Sequence, residues 1–291
     1  MTAIQRAYAS DALGQLHYAE AGAGPALLLI GETPRSHRFF EPLLPLLAPT
    51  VRAIAVDLPG LGNSHGLPQP MSVRAIAACM VEFFDALGIE RAHVFGMHTG
   101  NKVAAALAAD WPERVDRLVL AGQTHSLFPE TERRNAALAP SFARYRTAAG
   151  EPIEGDALRE WLRTKLTLDT TWWPDALLVG RESARTIANA EARSIDFLLG
   201  WRSAVPIYHA VFALDLAEAV ARIEAPSLVL ELTTPQEGHY GLQGERLAGL
   251  MKHAMTQTIP VTFLAAMEEQ TAEIADALLT FLNLEIINVH Q

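Results

Sequence analysis

Val94-Phe95-Gly96-Met97-His98-Thr99-Gly100 is the stretch on which the fold turns. A short apolar strand, His93–Gly96, runs into a glycine-bracketed turn and at once into an Ala-rich helix, Thr99–Ala109. A strand that enters a helix through so tight a turn raises one side chain over the end of a sheet. That side chain is His98. Gly96 and Gly100 lie two residues before and after it, where a side chain would crowd the turn or the approaching helix.

Outward from this turn, strands alternate with helices. Residues 4–9 and 14–20 read as a hairpin, with Asp11 and Gly14 near its turn. Ala26–Ile30 is a buried strand followed by Gly31. A helix is expected over 39–48 and a strand over 51–57. Residues 72–87 form an amphipathic helix, with Ser72 as N-cap and Gly88 just past the end. Arg117–Ala121 is a strand. From 129 to 205 the reading is helical throughout. From 206 the alternation resumes, with strands at 227–232 and 258–264 and helices at 244–253 and 272–282. The pattern predicts a mostly parallel sheet flanked by helices, with a core of 1–128 and 206–291 interrupted by a helical cap, 129–205.

Composition excludes several classes. The 291 residues are 50% hydrophobic with a mean hydropathy of +0.13, which rules out a disordered chain. A net charge of −10 argues against a nucleic-acid binder or an anionic-membrane adhesive. No secretory h-region and no membrane-length apolar run occurs, so a cytoplasmic protein is expected. The single cysteine, Cys79, excludes an intrachain disulfide and reads as buried packing. No cofactor motif is present, and no ligand spacing supports a metal.

Two further segments follow strands: Asp57-Leu58-Pro59-Gly60-Leu61-Gly62-Asn63-Ser64 and Gly31-Glu32-Thr33-Pro34-Arg35-Ser36. With the 94–100 turn, they make the chain resemble the α/β-hydrolase superfamily. Its members carry a His-Gly turn with a nearby Pro and Ser, then Asp-x-x-Gly-x-Gly-x-Ser, then Gly-x-Ser-x-Gly. The resemblance implies an α/β-hydrolase fold with an inserted cap. It also implies a Ser, Asp or Cys at the elbow, an acid after a later strand and a His after the last one.

The chain departs from each of these. The elbow holds His98, and Ile30 replaces the His of the His-Gly turn. No Asp occurs between Asp215 and Asp276; the acid position falls near Pro235, with Glu231 and Glu237 the nearest carboxylates. The other common acid site, after Arg117–Ala121, holds Gln123, Thr124 and His125. No His occurs between His253 and His290, and that position falls near Leu264.

His98 at a helix start is disfavoured as a cation by the macrodipole, so a neutral imidazole is expected, suited to a base or a nucleophile. If the elbow forms, the backbone N–H groups of Thr99 and of Glu32, next to Gly31, can hold an oxyanion. Glu32 is a candidate to orient His98, and His125 to join them from the same sheet edge. His37 and His239 are further candidates to partner His98. Met97, Trp172, Trp173 and Glu231 are candidate substrate contacts. The expected partner is a small, apolar or aromatic molecule; a homodimer is left open. The resulting function is a hydrolase acting by a non-standard mechanism with His98 in place of Ser. Two alternatives are a catalytically inactive ligand-binding protein and a lyase or decarboxylase on the same scaffold.

Overall fold

Leu28 and Ile30 belong to one apolar core, Leu27 and Leu29 to another. Ile54 and Val56 alternate with Ala53 and Ala55 in the same way, as do Leu118 and Leu120 with Val119 and Ala121. Side chains on a strand point alternately to opposite faces, so both faces of this sheet are buried. The computed structural model describes residues 3–122, 184–232, 242–261, 267 and 270–283.

The described residues build one eight-stranded sheet in the order β1-β2-β4-β3-β5-β6-β7-β8. The strands are β1 Gln5–Ser10, β2 Gln15–Ala21, β3 Ala26–Ile30, β4 Arg52–Val56, β5 Ala92–Met97, β6 Val115–Ala121, β7 Ser227–Glu231 and β8 Ala254–Thr258. β2 runs antiparallel to β1 and to β4; every other pairing is parallel. The helices are α1 Leu44–Leu47, α2 Val73–Ala86, α3 Thr99–Asp110, α4 Ala184–Ala213, α5 Leu216–Ala221, α6 Gly244–Ala248 and α7 Thr271–Asn283. Residues of α2, α3 and α5 line one core, and residues of α1 and α7 line the other. The parallel strands all end toward one edge, where the loops after β3, β4 and β5 meet.

Local signals account for most element ends. Asp11 Oδ1 accepts the amides of Leu13 and Gly14 and closes the β1–β2 turn. Ser72 caps α2 by accepting the Ala75 amide at 3.0 Å. Three expectations differ. The helix expected over 39–48 is a 3₁₀ turn, His37–Phe40, followed by the four-residue α1, because Pro42 and Pro45 lack the amide a continuous helix needs. The helix expected over 244–253 ends at Ala248, with Gly249 at its cap. Among the described residues the last strand is 254–258, and of the strand expected over 258–264 it includes only Thr258, while 259–261 are not strand and 262–264 lie outside the described residues: the register runs from Ala254 opposite Ser227 to Thr258 opposite Glu231. That strand, AMTQT, is largely polar, whereas the apolar run that attracted the reading begins with Ile259, whose amide donates to Glu231 O.

α4 is 30 residues long and contains Pro206, and the expected cap boundary at 205/206 falls inside it. The cap from 129 to 183 lies outside the described residues. Among the described residues no helix is long and apolar enough to cross a membrane.

Candidate active site

β5 ends at Met97, and α3 begins at Thr99. His98 between them has φ 50° and ψ −107°, and it is the one non-glycine residue with positive φ among those described. Such a backbone costs on the order of 1–3 kcal/mol and persists only when its surroundings hold it. Here the end of β6 does so. The His98 amide donates to Ala121 O at 3.1 Å, and Asn101 Nδ2 donates to Ala121 O and Gly122 O, each at 3.0 Å. The flanking glycines are required by contact. A Cβ on Gly100 would run into the Ile30 carbonyl, and one on Gly96 would stand 2.7 Å from Asn101 Cα. Gly122, at φ +64°, lies under the imidazole: a Cβ there would be 2.7 Å from His98 Cε1.

The loop after β3 brings Glu32 to His98. Glu32 Oε2 lies 3.4 Å from His98 Nε2, and the two side chains are 16% and 12% exposed, so both are within reach of a small molecule. At this separation the pairing is electrostatic rather than a short hydrogen bond. Nδ1 is buried, and Nε2 is the ring nitrogen that faces Glu32. Thr99 Oγ1 accepts the Thr33 amide at 3.4 Å and ties the elbow to this loop.

Behind Glu32 stands a network that the sequence did not reveal. Arg35 NH1 is 3.9 Å from Glu32 Oε1, and its Nε donates to Asp196 Oδ2 at 2.9 Å. Asp196, from α4, is fully buried. Its other oxygen accepts the Ser36 hydroxyl, with Arg38 NH1 at 3.7 Å. Tyr208, also on α4, donates to Thr33 O at 2.7 Å. Gly200 is needed where α4 crosses the loop, since a Cβ there would lie 3.0 Å from Pro34 O. The available signal was Asp196 standing alone among apolar neighbours in Ile195-Asp196-Phe197-Leu198-Leu199.

The Asp57 motif is a structural hub. Asp57 is fully buried and accepts His17 Nδ1 at 2.9 Å, His37 Nδ1 at 3.0 Å, the His37 amide at 2.5 Å and the Asn63 amide at 3.0 Å. Gly62, at φ +53°, sits directly against the carboxylate. Burial pushes the Asp57 carboxyl up, but the hydrogen bonds from His17, His37 and Asn63 outweigh it and hold the group well below the usual carboxylate range. His37 is thus bound to Asp57 through Nδ1, with Nε2 3.6 Å from Glu41, and its ring is not the partner of His98.

The remaining candidates are distributed as follows. Met97 is 2% exposed and packs in the core shared with α1 and α7. Glu231 is buried, and its Oε2 accepts the amides of Gln243 and Gly244 at 2.9 and 2.6 Å, which caps the start of α6. His125, Trp172, Trp173, Glu237 and His239 lie outside the described residues.

Comparison with known proteins matches residues 24–169 to the model of the alpha/beta hydrolase fold family. The chain is 37% identical over 133 residues to 2-hydroxymuconate semialdehyde hydrolase of Pseudomonas sp. (strain CF600), covering 44% of this chain and 47% of that protein. It is 27% identical over 224 residues to pyrrolizixenacetamide deacetylase of Xenorhabdus hominickii, covering 74% and 76%. Matches to the first curated relatives span about two fifths of their lengths. Among solved structures, a hydrolase from Pseudomonas aeruginosa PA01 superposes with a TM-score of 0.70 at 24% identity, covering 96% of this chain and 99% of that one. The elbow, the order of the sheet and the family match over half of the sequence agree: the chain belongs to the alpha/beta hydrolase fold family.

Proposed function

We propose that this protein hydrolyses a small, apolar or aromatic ester, thioester or related carbonyl compound, with His98 acting in place of a Ser nucleophile and Glu32 as its charged partner. The observation that carries the reading is the Glu32 carboxylate 3.4 Å from Nε2 of an imidazole held at the elbow. His98 Nε2 takes a proton from a water molecule whose oxygen adds to the carbonyl carbon. The carbonyl π pair moves onto oxygen, which the Thr99 and Glu32 backbone N–H groups receive in this reading. Collapse expels the leaving group, which takes the proton back from the imidazolium. The Glu32 carboxylate stabilises that imidazolium, and Arg35 offsets the negative charge that Glu32 brings beside the oxyanion. Two relatives named for hydrolysis and deacetylation support carbonyl chemistry, and the four Trp at 161, 172, 173 and 201 support an apolar substrate.

The test is turnover of a panel of short-chain activated esters and thioesters by wild type, His98→Ala and Glu32→Gln, each shown to be folded by circular dichroism. His98→Ala is expected to lower kcat/KM about 10²–10⁴-fold, the range of one positioned acid–base group. Equal rates in wild type and His98→Ala would remove the imidazole from the mechanism. The central elbow residue is an imidazole with no hydroxyl to attack a carbonyl, which favours proton-transfer chemistry as the second reading. A folded wild type without turnover of any ester leaves a lyase or a ligand-binding protein.

A further inference from the structure

Asp11, His65 and Cys79 come from three separate elements, the β1–β2 turn, the loop after β4 and the middle of α2. One ligand-type atom from each lies within 4.8 Å of the others. All three are well enclosed: the Asp11 side chain is fully buried, His65 is 9% exposed and Cys79 5%.

The hydrogen bonds around His65 aim one ring nitrogen at Asp11. Its Nδ1 is 2.7 Å from Gly66 O, a carbonyl that can only accept, so Nδ1 carries the hydrogen. Nε2 faces Asp11 Oδ2, also at 2.7 Å, where a proton joins the two groups and a metal ion can take its place. Asp11 cannot turn away, because its Oδ1 is held by the Leu13 and Gly14 amides. An imidazole whose far N–H is anchored on a backbone carbonyl is also the arrangement typical of metal-ligating histidines.

The thiol adds to the case. Cys79 is buried on α2 with Asp11 and Glu82 beside it, so its sulfur faces the same enclosed spot as the carboxylate and the imidazole. Glu82 is fixed next to the cluster by accepting the Ala12 amide at 2.6 Å.

We propose that Asp11 Oδ2, His65 Nε2 and Cys79 Sγ form a binding site for a zinc-class divalent cation, separate from the elbow. One nitrogen, one carboxylate oxygen and one thiolate suit Zn²⁺ or Co²⁺ rather than Mg²⁺ or Ca²⁺, which take oxygen ligands. The two anionic ligands balance the dication. On binding, the Cys79 thiol proton and the proton shared between His65 and Asp11 leave to solvent, and bonds from the metal to sulfur, nitrogen and oxygen form. Tetrahedral bonds of about 2.0–2.3 Å need the nitrogen and oxygen to separate by roughly half an ångström more than they do now. The bound ion would staple the β1–β2 hairpin to α2 and to the loop carrying His65.

The test is titration of the full chain, stripped with a chelator, with Co²⁺ and then Zn²⁺. Cys79 is the only cysteine, so a thiolate-to-cobalt charge-transfer band in the wild type can arise nowhere else. The expected result is that band at one equivalent of Co²⁺, its loss on adding one equivalent of Zn²⁺, and a higher Tm with Zn²⁺. His65→Gln, shown to be folded, is expected to bind Co²⁺ at least about tenfold more weakly. A wild type without the thiolate band would overturn the site. So would a His65→Gln variant that binds as tightly as wild type. Both wild-type readouts stand even if a variant fails to fold.

Discussion

At the residue scale, the elbow depends on three glycines for three different contacts. Gly96 and Gly100 let the helix approach the strand, and Gly122 leaves room for the His98 ring. The first two were legible, because glycines two residues on either side of a central residue are a local pattern. Gly122 was not: it is 24 residues from His98 in sequence and meets it only across the β5–β6 pairing. Gly122→Ala is therefore expected to act on the site. A methyl group 2.7 Å from His98 Cε1 must displace the ring. The left-handed backbone at φ +64° adds about 1 kcal/mol of destabilisation. If His98 is catalytic, Gly122→Ala should lose most of the ester-hydrolase rate while its urea midpoint falls only modestly. A variant with unchanged kcat/KM would show that the ring position does not matter. At Cys79, burial and neighbouring carboxylates keep the thiol protonated, so the chelator-stripped, folded protein should react far more slowly with a disulfide reagent near pH 8 than the urea-unfolded chain does.

At the element scale, the loop after β3 is held from above by α4. Asp196 joins Arg35, Ser36 and Arg38, and Tyr208 holds Thr33. This latch positions Glu32 indirectly, through Arg35. Asp196→Asn leaves a buried guanidinium short of its counter-charge. Breaking one side of such a pair costs roughly 3–5 kcal/mol, read as a lower urea midpoint. Arg35 would then lean more on Glu32, so the proposed hydrolase should also lose kcat in the surviving folded fraction. The prediction fails if stability and rate both stay at wild-type values. The same scale explains the misplaced strand after α6. Ile259 is apolar and β-branched, as a strand residue is, but pairing with β7 begins at Ala254, and a residue-by-residue propensity does not contain that register.

At the scale of the whole molecule, the Asp57 carboxylate joins β2, β4 and the loops after β3 and β4 through His17, His37 and Asn63. Its folded pKa is depressed below the unfolded value of about 3.9. The stability it contributes is therefore fully present above roughly pH 4 and is lost as pH falls further toward the folded value. Urea denaturation between neutral pH and pH 3 should show the wild type losing stability at the acid end. Asp57→Asn should be less stable by about 2–4 kcal/mol at pH 7 and should show a shallower acid limb. An Asp57→Asn variant as stable as wild type at pH 7 would remove the hub from the account.

The strand–helix alternation, the three glycine-marked turns and the missing Ser, Asp and His were all determined by the chain itself. Each is a matter of residue type at short spacing, or of a residue type absent over a long interval. The tertiary structure alone decided which groups meet. Glu32 reaches His98 across 66 residues, Asp196 reaches Arg35 across 161, and Asp11, His65 and Cys79 converge from three elements with no ligand spacing to announce them. The physical reason is that periodicity reports which face of an element is buried, while contact between elements depends on sheet order and register. Those are set by packing over the whole core, not by any one segment.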